Sequence, residues 1–148
     1  MRVSVIGGST VTQELYEVGE ETGAILASRG HTVVCGGLTG IMEAVCKGAY
    51  ESGGHTIGIL PGDDRRTANR FVETSIATGL GNARNVLVAL NGDGVIAIDG
   101  SSGTLSEIGH SLDNGLPVAG IETHDVEGVK PVSSPKEAVD YIESEVHR

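Results

Sequence analysis

Short apolar blocks rich in β-branched residues alternate along the chain with segments of helical periodicity. Each block is apolar at nearly every position, which is typical of strands buried on both faces of a sheet. The predicted strands are Val3–Gly7, His31–Cys35, His55–Leu60, Gly94–Ile98 and Pro117–Ile121. Strands that alternate with helices indicate a parallel sheet covered on both faces. We therefore predict a doubly wound α/β fold, formed by one domain over residues 1–148.

Helical periodicity fills the intervals between these strands. In the first interval, Leu15, Val18, Ile25 and Leu26 fall on one helical face, and Gly30 follows as a stop signal. The predicted helices are Gln13–Arg29, Ile41–Ser52, Asn82–Leu90, Thr104–Asp113 and a closing helix that starts after Ser134.

Capping patterns and turn residues set the predicted boundaries. Thr10 and Gln13 have capping-box spacing before the first helix, and Ser134-Pro135-Lys136-Glu137 combines an N-cap, a proline at the first helical position and a capping-box glutamate. Asp63–Arg70 is predicted to be a surface loop, and Phe71–Ile76 to be a short strand.

Composition excludes several classes of protein. The formal net charge is −10, so the chain lacks the basic field that non-specific nucleic-acid binding needs. Its longest apolar runs are about seven residues, far below the ~20 that span a bilayer. No secretory signal is recognised, and Cys35 and Cys46 lack zinc-ligand spacing. We expect a cytoplasmic protein with two buried free thiols and no metal site, nucleic-acid partner or membrane partner.

Glycine-rich turns indicate where a ligand would bind. Glycine supplies 23 of 148 residues, roughly twice the usual fraction of about 7%. Three such turns follow predicted strands and precede predicted helices, at the sheet edge where doubly wound folds bind ligands. Unpaired N–H groups and a partial positive charge at a helix N-terminus favour phosphate, and glycine lets the backbone approach it closely. The predicted phosphate contacts are Gly7, Gly8 and Ser9, then Gly36, Gly37, Thr39 and Gly40, then Gly100, Ser101, Ser102, Gly103 and Thr104.

Familiar nucleotide motifs are absent from the sequence. The P-loop pattern GxxxxGK[ST] does not occur, and neither does GxGxxG after the first strand. Cys35 stands where an NAD-binding protein would carry an acidic residue for the ribose. The phosphorylated ligand is therefore not expected to be held as in a P-loop ATPase or an NAD dehydrogenase.

Three charged residues near these turns are candidates for chemistry or ligand contact. Glu107 lies one turn into the helix opened by Gly103, where it either holds a ribose hydroxyl, acts as a general acid or base, or only complements the helix dipole. Arg84 either binds phosphate or is an ordinary exposed side chain. Glu43, one turn into its own helix, either contacts ligand or lies on an exposed face. The cluster of Arg65, Arg66 and Arg70 beside two aspartates is most simply a set of surface ion pairs, with a lid that grips phosphate as the alternative.

Two segments carry a family resemblance. GGLTGIMEAVCKGAYESGGHTIGILPG and NARNVLVALNGDGVIAIDGSSGTLSEIG resemble the LOG-like (Lonely Guy) Rossmann superfamily, and within it the DprA/Smf-related nucleotide-binding proteins and the molybdenum cofactor carrier proteins. The resemblance covers residues 3–121 and implies a Rossmann-like fold, a phosphorylated ligand and a homodimer or higher homo-oligomer. Residues 41–52 and 104–113 are the helices that we expect at the oligomer interface.

The Lonely Guy motif PGGxGTxxE aligns with Asp99 through Glu107. Gly100, Gly103, Thr104 and Glu107 match it, whereas Asp99 and Ser101 replace proline and glycine. Arg84 matches the family arginine, and Asn85 replaces the lysine that follows it. The resemblance thus implies Arg84 and Glu107 as catalytic residues and Asn85 as a ligand contact, within an altered phosphate loop.

Two functions follow from these residues. The first is binding of a phosphorylated, nucleotide-like molecule by a carrier or sensor, with the molybdenum cofactor as one candidate ligand and no cofactor required. The alternative is hydrolysis of the N-glycosidic bond of a nucleoside 5′-monophosphate, as in the Lonely Guy phosphoribohydrolases.

Overall fold

The computed structural model describes residues 1–147, which form seven parallel strands and five α-helices. The strands are β1 (Arg2–Gly7), β2 (Thr32–Cys35), β3 (Thr56–Leu60), β4 (Thr74–Ala77), β5 (Gly94–Ile98), β6 (Val118–Ile121) and β7 (Val129–Pro131). The helices are α1 (Gln13–Ser28), α2 (Ile41–Glu51), α3 (Asn85–Leu90), α4 (Ser102–Asp113) and α5 (Pro135–Val146). The strand order is β4-β3-β2-β1-β5-β6-β7, and every neighbouring pair is parallel.

The sheet separates two hydrophobic cores. One core contains Leu26 of α1, Val45 of α2 and Ile142 of α5, and the other contains Val88 of α3 and Ile108 of α4. All of β5 is buried, as expected for a strand covered on both faces. The predicted doubly wound α/β fold is confirmed.

The strand order reverses at β1, the topological switch point of the sheet. From β1 the chain runs outward through β2, β3 and β4, then returns to the other side of β1 to form β5, β6 and β7. The connections that follow β1 and β5 lead to helices on opposite faces of the sheet, so a crevice opens between the carboxyl ends of these two strands. The turns after β1, β2 and β5 all lie at this end of the sheet.

One strand and several boundaries differ from prediction. β7 was not predicted, because its sequence Val-Lys-Pro has a single large apolar residue and lies at the sheet edge. β4 covers Thr74–Ala77 rather than Phe71–Ile76, with its burial alternating as at an exposed edge. The predicted helix Asn82–Leu90 divides into a 3₁₀ turn over Gly81–Arg84 and α3.

The helix starts also refine the prediction. The N-cap of α1 is Thr12, whose hydroxyl accepts a 3.3 Å hydrogen bond from the backbone N–H of Leu15, so the prediction that Thr10 caps α1 is wrong. α4 begins at Ser102, two residues before the predicted Thr104. The cap of α5 is as predicted, since the Ser134 hydroxyl accepts from the N–H of Glu137 at 3.2 Å.

The two cysteines are buried free thiols, as predicted. Their sulfur atoms lie 3.4 Å apart between β2 and α2. Within the described residues, no helix is long and apolar enough to cross a membrane.

Candidate ligand-binding site

A cavity of about 280 Å³ opens at the switch point, beside the carboxyl ends of β1, β2 and β5. Most of the predicted site residues line it: Gly7, Ser9, Gly36, Arg84, Asn85, Ser101, Ser102, Gly103, Thr104 and Glu107. The lining is completed by Val5, Ile6, Leu38, Met42 and Asn82. Its charged groups converge from the turn before α3 and from α4, while its apolar wall comes from β1 and from the start of α2.

The N-terminus of α4 faces this cavity. Ser101 is the N-cap residue, and within the described residues its side chain makes no capping hydrogen bond. The first backbone bond of the helix is donated by the N–H of Leu105 to the Ser101 carbonyl at 3.0 Å, so the N–H groups of Ser102, Gly103 and Thr104 have no acceptor within α4. Unpaired N–H groups at a positive helix end can bind an anion.

A tight left-handed turn carries the chain from β5 into α4. Asp99 has φ 53° and Gly100 has φ 120°. Glycine is required at position 100, because a Cβ atom there would overlap the side chain of Thr104. Asp99 does not line the cavity, and its Oδ2 would lie 3.0 Å from a Cβ atom added at Gly8. The additional acidic residue of the altered motif therefore faces the turn after β1.

The Arg84 guanidinium is buried in the cavity wall. Arg84 is 6% exposed, and its Nε donates to the carbonyl of Ile59 at 2.9 Å. Nη2 lies 3.5 Å from the carbonyl of Gly36, and Nη1 donates to the Asn85 Oδ1. These bonds fix the guanidinium across the carboxyl ends of β2 and β3, with two of its five N–H groups left over. Arg84 is thus a rigid positive charge, not an exposed side chain.

Glu107 supplies a buried carboxyl group on the α4 side. It is 7% exposed, and no other residue among 1–147 forms a hydrogen bond with its carboxylate. Burial raises the pKa of Glu107 to about 7, and the positive charge of Arg84 opposes that rise. The same burial lowers the pKa of Arg84. The carboxyl group therefore titrates near neutral pH and has hydrogen-bonding capacity that the protein leaves unused.

Asn85 connects the two sides of the cavity. Its Oδ1 accepts from Arg84, and its Nδ2 donates to the Ser106 hydroxyl on α4 at 3.4 Å. An amide at this position aligns Arg84 against α4 without adding a second positive charge.

The turn after β2 packs against the turn after β1. The N–H of Ile41, the first residue of α2, donates to the Gly8 carbonyl at 3.0 Å, and the Thr39 hydroxyl donates to the Ser9 carbonyl at 3.0 Å. Gly40 has φ 67°, and a Cβ atom there would overlap the Gly8 carbonyl. Gly8, Gly37, Thr39 and Gly40 therefore lie outside the cavity lining and organise the turns behind it, as Gly100 does after β5.

Glu43 also lies outside the cavity lining. Its Oε2 accepts a 2.7 Å hydrogen bond from the Tyr16 hydroxyl on α1, which together with burial raises the pKa of Tyr16. The cluster of arginines is likewise remote, since the guanidinium of Arg66 binds the Asp64 carboxylate at 3.1 Å. This exposed pair is the one ion pair of the arginine cluster among residues 1–147, since the Arg70 guanidinium lies over the Phe71 ring at 4.7 Å and Arg65 forms none.

Sequence reasoning missed part of the cavity wall. Leu38, Met42 and Asn82 are not among the predicted contacts, although all three lie within the two segments that carry the family resemblance. Asn82 precedes Arg84 by two residues in the 3₁₀ turn, a shape that helical periodicity does not reveal.

A doubly wound parallel sheet with a cavity at its switch point defines a Rossmann-like α/β protein. The chain belongs to the SLOG cluster4 family, whose model matches residues 1–146. This match confirms the resemblance to the LOG-like superfamily that the two sequence segments indicated.

Two groups of proteins with assigned roles are similar to this chain. A solved structure of the molybdenum cofactor binding protein from Rippkaea orientalis is 33% identical with a TM-score of 0.92, covering 98% of this chain and 96% of that one. The molybdenum cofactor carrier protein of Chlamydomonas reinhardtii is 27% identical with a TM-score of 0.90, covering 99% of each chain. The cytokinin riboside 5′-monophosphate phosphoribohydrolase of Mycobacterium tuberculosis is 33% identical over 115 residues, 76% of this chain but only 59% of that protein.

Proposed function

We propose that this protein binds a phosphorylated, nucleotide-like ligand as a carrier or sensor. The observation that carries the proposal is the uncapped N-terminus of α4, which opens into the cavity beside the fixed guanidinium of Arg84. The ligand phosphate accepts hydrogen bonds from the N–H groups of Ser102, Gly103 and Thr104. A helix N-terminus and a guanidinium together stabilise a bound phosphate.

Glu107 binds the part of the ligand next to the phosphate. A buried carboxyl group without a hydrogen-bond partner in the protein is costly, and a ligand hydroxyl or ring N–H reduces that cost. Ribose hydroxyls and heterocyclic N–H groups are the donors that such a ligand offers. Glu107 therefore selects for a polar group adjacent to the phosphate.

The molybdenum cofactor is the leading candidate ligand. Two relatives that match nearly the whole chain are described as binding or carrying it. The cavity volume of about 280 Å³ is at the lower end of ligand sites, so it accommodates the phosphate and the adjoining group while a larger ligand extends beyond it.

Hydrolysis of a nucleoside 5′-monophosphate is the second candidate function. The observation in its favour is that Arg84 lines the same cavity as Glu107, whose carboxyl pKa is about 7. In its ionised form Glu107 stabilises the ribosyl cation that develops as the bond to the base breaks, or orients the attacking water, while Arg84 holds the ligand. The phosphoribohydrolase of Mycobacterium tuberculosis supplies the precedent.

We also propose that the protein forms a homodimer through the α3–α4 face. Leu90 and Leu105 are 48% and 44% exposed there. α2, the other predicted interface helix, packs its small residues on α1, where a Cβ atom added at Gly23 would overlap the backbone of Val45. α2 is therefore a less suitable interface element than α4.

The functions are separated by testing binding and turnover on the same protein. Calorimetric titration with molybdopterin and with AMP measures affinity, and chromatography of AMP incubations measures release of adenine. Glu107→Gln is compared with Glu51→Gln, an exposed carboxylate on α2. Binding without adenine release supports a carrier or sensor, whereas release that is lost only in Glu107→Gln supports the hydrolase. If neither compound binds, the proposal is wrong.

A further inference from the structure

The loop after β6 contacts the turn that leads into α4. The Thr123 hydroxyl donates to the Asp99 carbonyl at 2.7 Å, and the His124 Nε2 lies 3.0 Å from the Ser101 carbonyl. Because a carbonyl oxygen only accepts, the imidazole is the donor and carries its proton on Nε2. Thr123 and His124 thus bind two carbonyls of the turn that immediately precedes the N–H groups of residues 102–104.

The backbone of this turn needs such support. Among residues 1–147, the only residues other than glycine with positive φ are Asp99 at 53° and Glu122 at 48°. Each follows the last residue of its strand, and those last residues, Ile98 and Ile121, are register partners in β5 and β6. Left-handed backbone at a non-glycine residue persists only where surrounding contacts hold it. The two strained turns therefore lie side by side, and the second presents Thr123 and His124 to the first.

We propose that Thr123 and His124 are positioning residues for phosphate recognition. They touch the carbonyls of the turn, not the cavity, since neither lines it. By fixing Asp99 and Ser101 they set the direction of the N–H groups of Ser102, Gly103 and Thr104. The inference rests on the proposed function, because it assigns the turn before α4 to the ligand phosphate.

Shape-conserving variants remove each bond separately. Thr123→Val keeps the methyl group that packs against Gly120 and deletes the hydroxyl, and His124→Leu deletes the ring donor. His124→Gln retains an amide N–H that can reach the Ser101 carbonyl. Thr78→Val is the matched control, because the Thr78 hydroxyl makes the same 2.7 Å bond to the Leu60 carbonyl on the far side of the sheet.

The test compares AMP with adenosine, which lacks the phosphate, and follows hydrogen exchange of residues 99–104. We expect the AMP dissociation constant to rise about fivefold in Thr123→Val and in His124→Leu, and more than tenfold in the double variant. Adenosine binding stays within about twofold of the wild type, His124→Gln recovers most of the AMP affinity, and Thr78→Val behaves as the wild type. Exchange in residues 99–104 becomes faster in Thr123→Val, in His124→Leu and in the double variant, and is unchanged in Thr78→Val.

Unchanged exchange of residues 99–104 overturns the positioning role, as does an equal loss of AMP and adenosine binding. If the wild type binds neither AMP nor molybdopterin better than adenosine, the proposed phosphate site fails, and the positioning role falls with it. If the wild type prefers AMP and the variants match it, only the positioning role fails.

Discussion

The turn after β2 and the turn after β5 are built from the same residue types and have different roles. Both join a buried strand to a helix, and both combine glycines with Ser or Thr. In the first, the N–H of Ile41 is occupied by the Gly8 carbonyl at 3.0 Å. In the second, the N-terminus of α4 has no side-chain cap within the described chain and faces a cavity.

The difference shows that a glycine-rich strand-to-helix turn is not by itself evidence of an anion site. Gly40 allows the turns after β1 and β2 to approach each other, and that approach gives the first N–H group of α2, that of Ile41, an acceptor from within the protein. At α4 no carbonyl of another turn among residues 1–147 accepts from a first-turn N–H group, and Ser102, Gly103 and Thr104 all line the cavity. What accepts hydrogen bonds from the first N–H groups of the helix, rather than the number of glycines, distinguishes a turn that packs against the protein from one that binds an anion.

Replacing one glycine in each turn by alanine should give the largest difference between the two turns, measured as the free energy of unfolding. Gly40→Ala places a methyl group on the Gly8 carbonyl at φ 67°, so we expect the free energy of unfolding to fall by about 3 kcal/mol or more. At Gly103 the nearest atom to an added Cβ is the Asn85 Nδ2 at 3.6 Å, an ordinary contact. Gly103→Ala should therefore be neutral or stabilise α4 by up to about 1 kcal/mol. Urea denaturation of both variants measures the difference, and similar destabilisation of the two would contradict it.

The next largest expected effect is the contribution of Glu107 to the pH dependence of the free energy of unfolding. Its pKa in the folded protein is about 7, above the ordinary value of 4.5, so the folded state holds this proton more tightly than the unfolded state. The protonated group favours folding below pH 4.5, and this contribution is lost as the pH rises through 7. We expect Glu107→Gln, which never ionises, to gain about 3 kcal/mol relative to the wild type between pH 4 and pH 8.

When Glu107→Gln is compared with the wild type, the contributions of the other titrating groups to the pH dependence of stability cancel. The carboxylates of Asp140 and Glu143 have lowered pKa values because of their ionic partners, and their contributions change with pH in the opposite sense. Both are present in Glu107→Gln. Urea denaturation at a series of pH values gives the difference, and a constant offset between the two proteins would show that Glu107 is not perturbed by burial.

The sequence reveals strands and motifs more readily than the contacts between them. The buried blocks of β1, β2, β3, β5 and β6 predict the fold because parallel strands in a doubly wound sheet are apolar throughout. β7 escapes prediction because pairing with β6, rather than its own composition, makes Val129–Pro131 a strand.

The candidate site shows the same division. Arg84 and Glu107 could be selected from their position near glycine-rich turns and from the family motif. Their burial could not, since the Arg84 guanidinium is held by the carbonyls of Ile59 and Gly36, which only folding brings to it. The bonds from Thr123 and His124 join residues 24 and 23 positions away, and no local pattern encodes such pairs.

A last, smaller effect tests the difference between α5, whose N-terminus has a side-chain cap, and α4, whose N-terminus has none within the described residues. The Ser134 hydroxyl accepts from the N–H of Glu137 at 3.2 Å, whereas Ser101 at the start of α4 makes no such bond among residues 1–147. Ser134→Ala should therefore lower the free energy of unfolding by about 1 kcal/mol, and Ser101→Ala by less than about 0.5 kcal/mol.

Adding ligand extends the same measurement. A phosphate bound at α4 accepts hydrogen bonds from the N–H groups that a serine cap would otherwise occupy. Because Ser134 caps α5 and does not line the cavity, AMP should stabilise the wild type and Ser134→Ala by equal amounts. Thermal unfolding with and without AMP tests this equality, with the two serine variants in parallel. If Ser101→Ala destabilised the unliganded protein as much as Ser134→Ala, then Ser101 caps α4 in solution, and the N-terminus of that helix is not free for an anion.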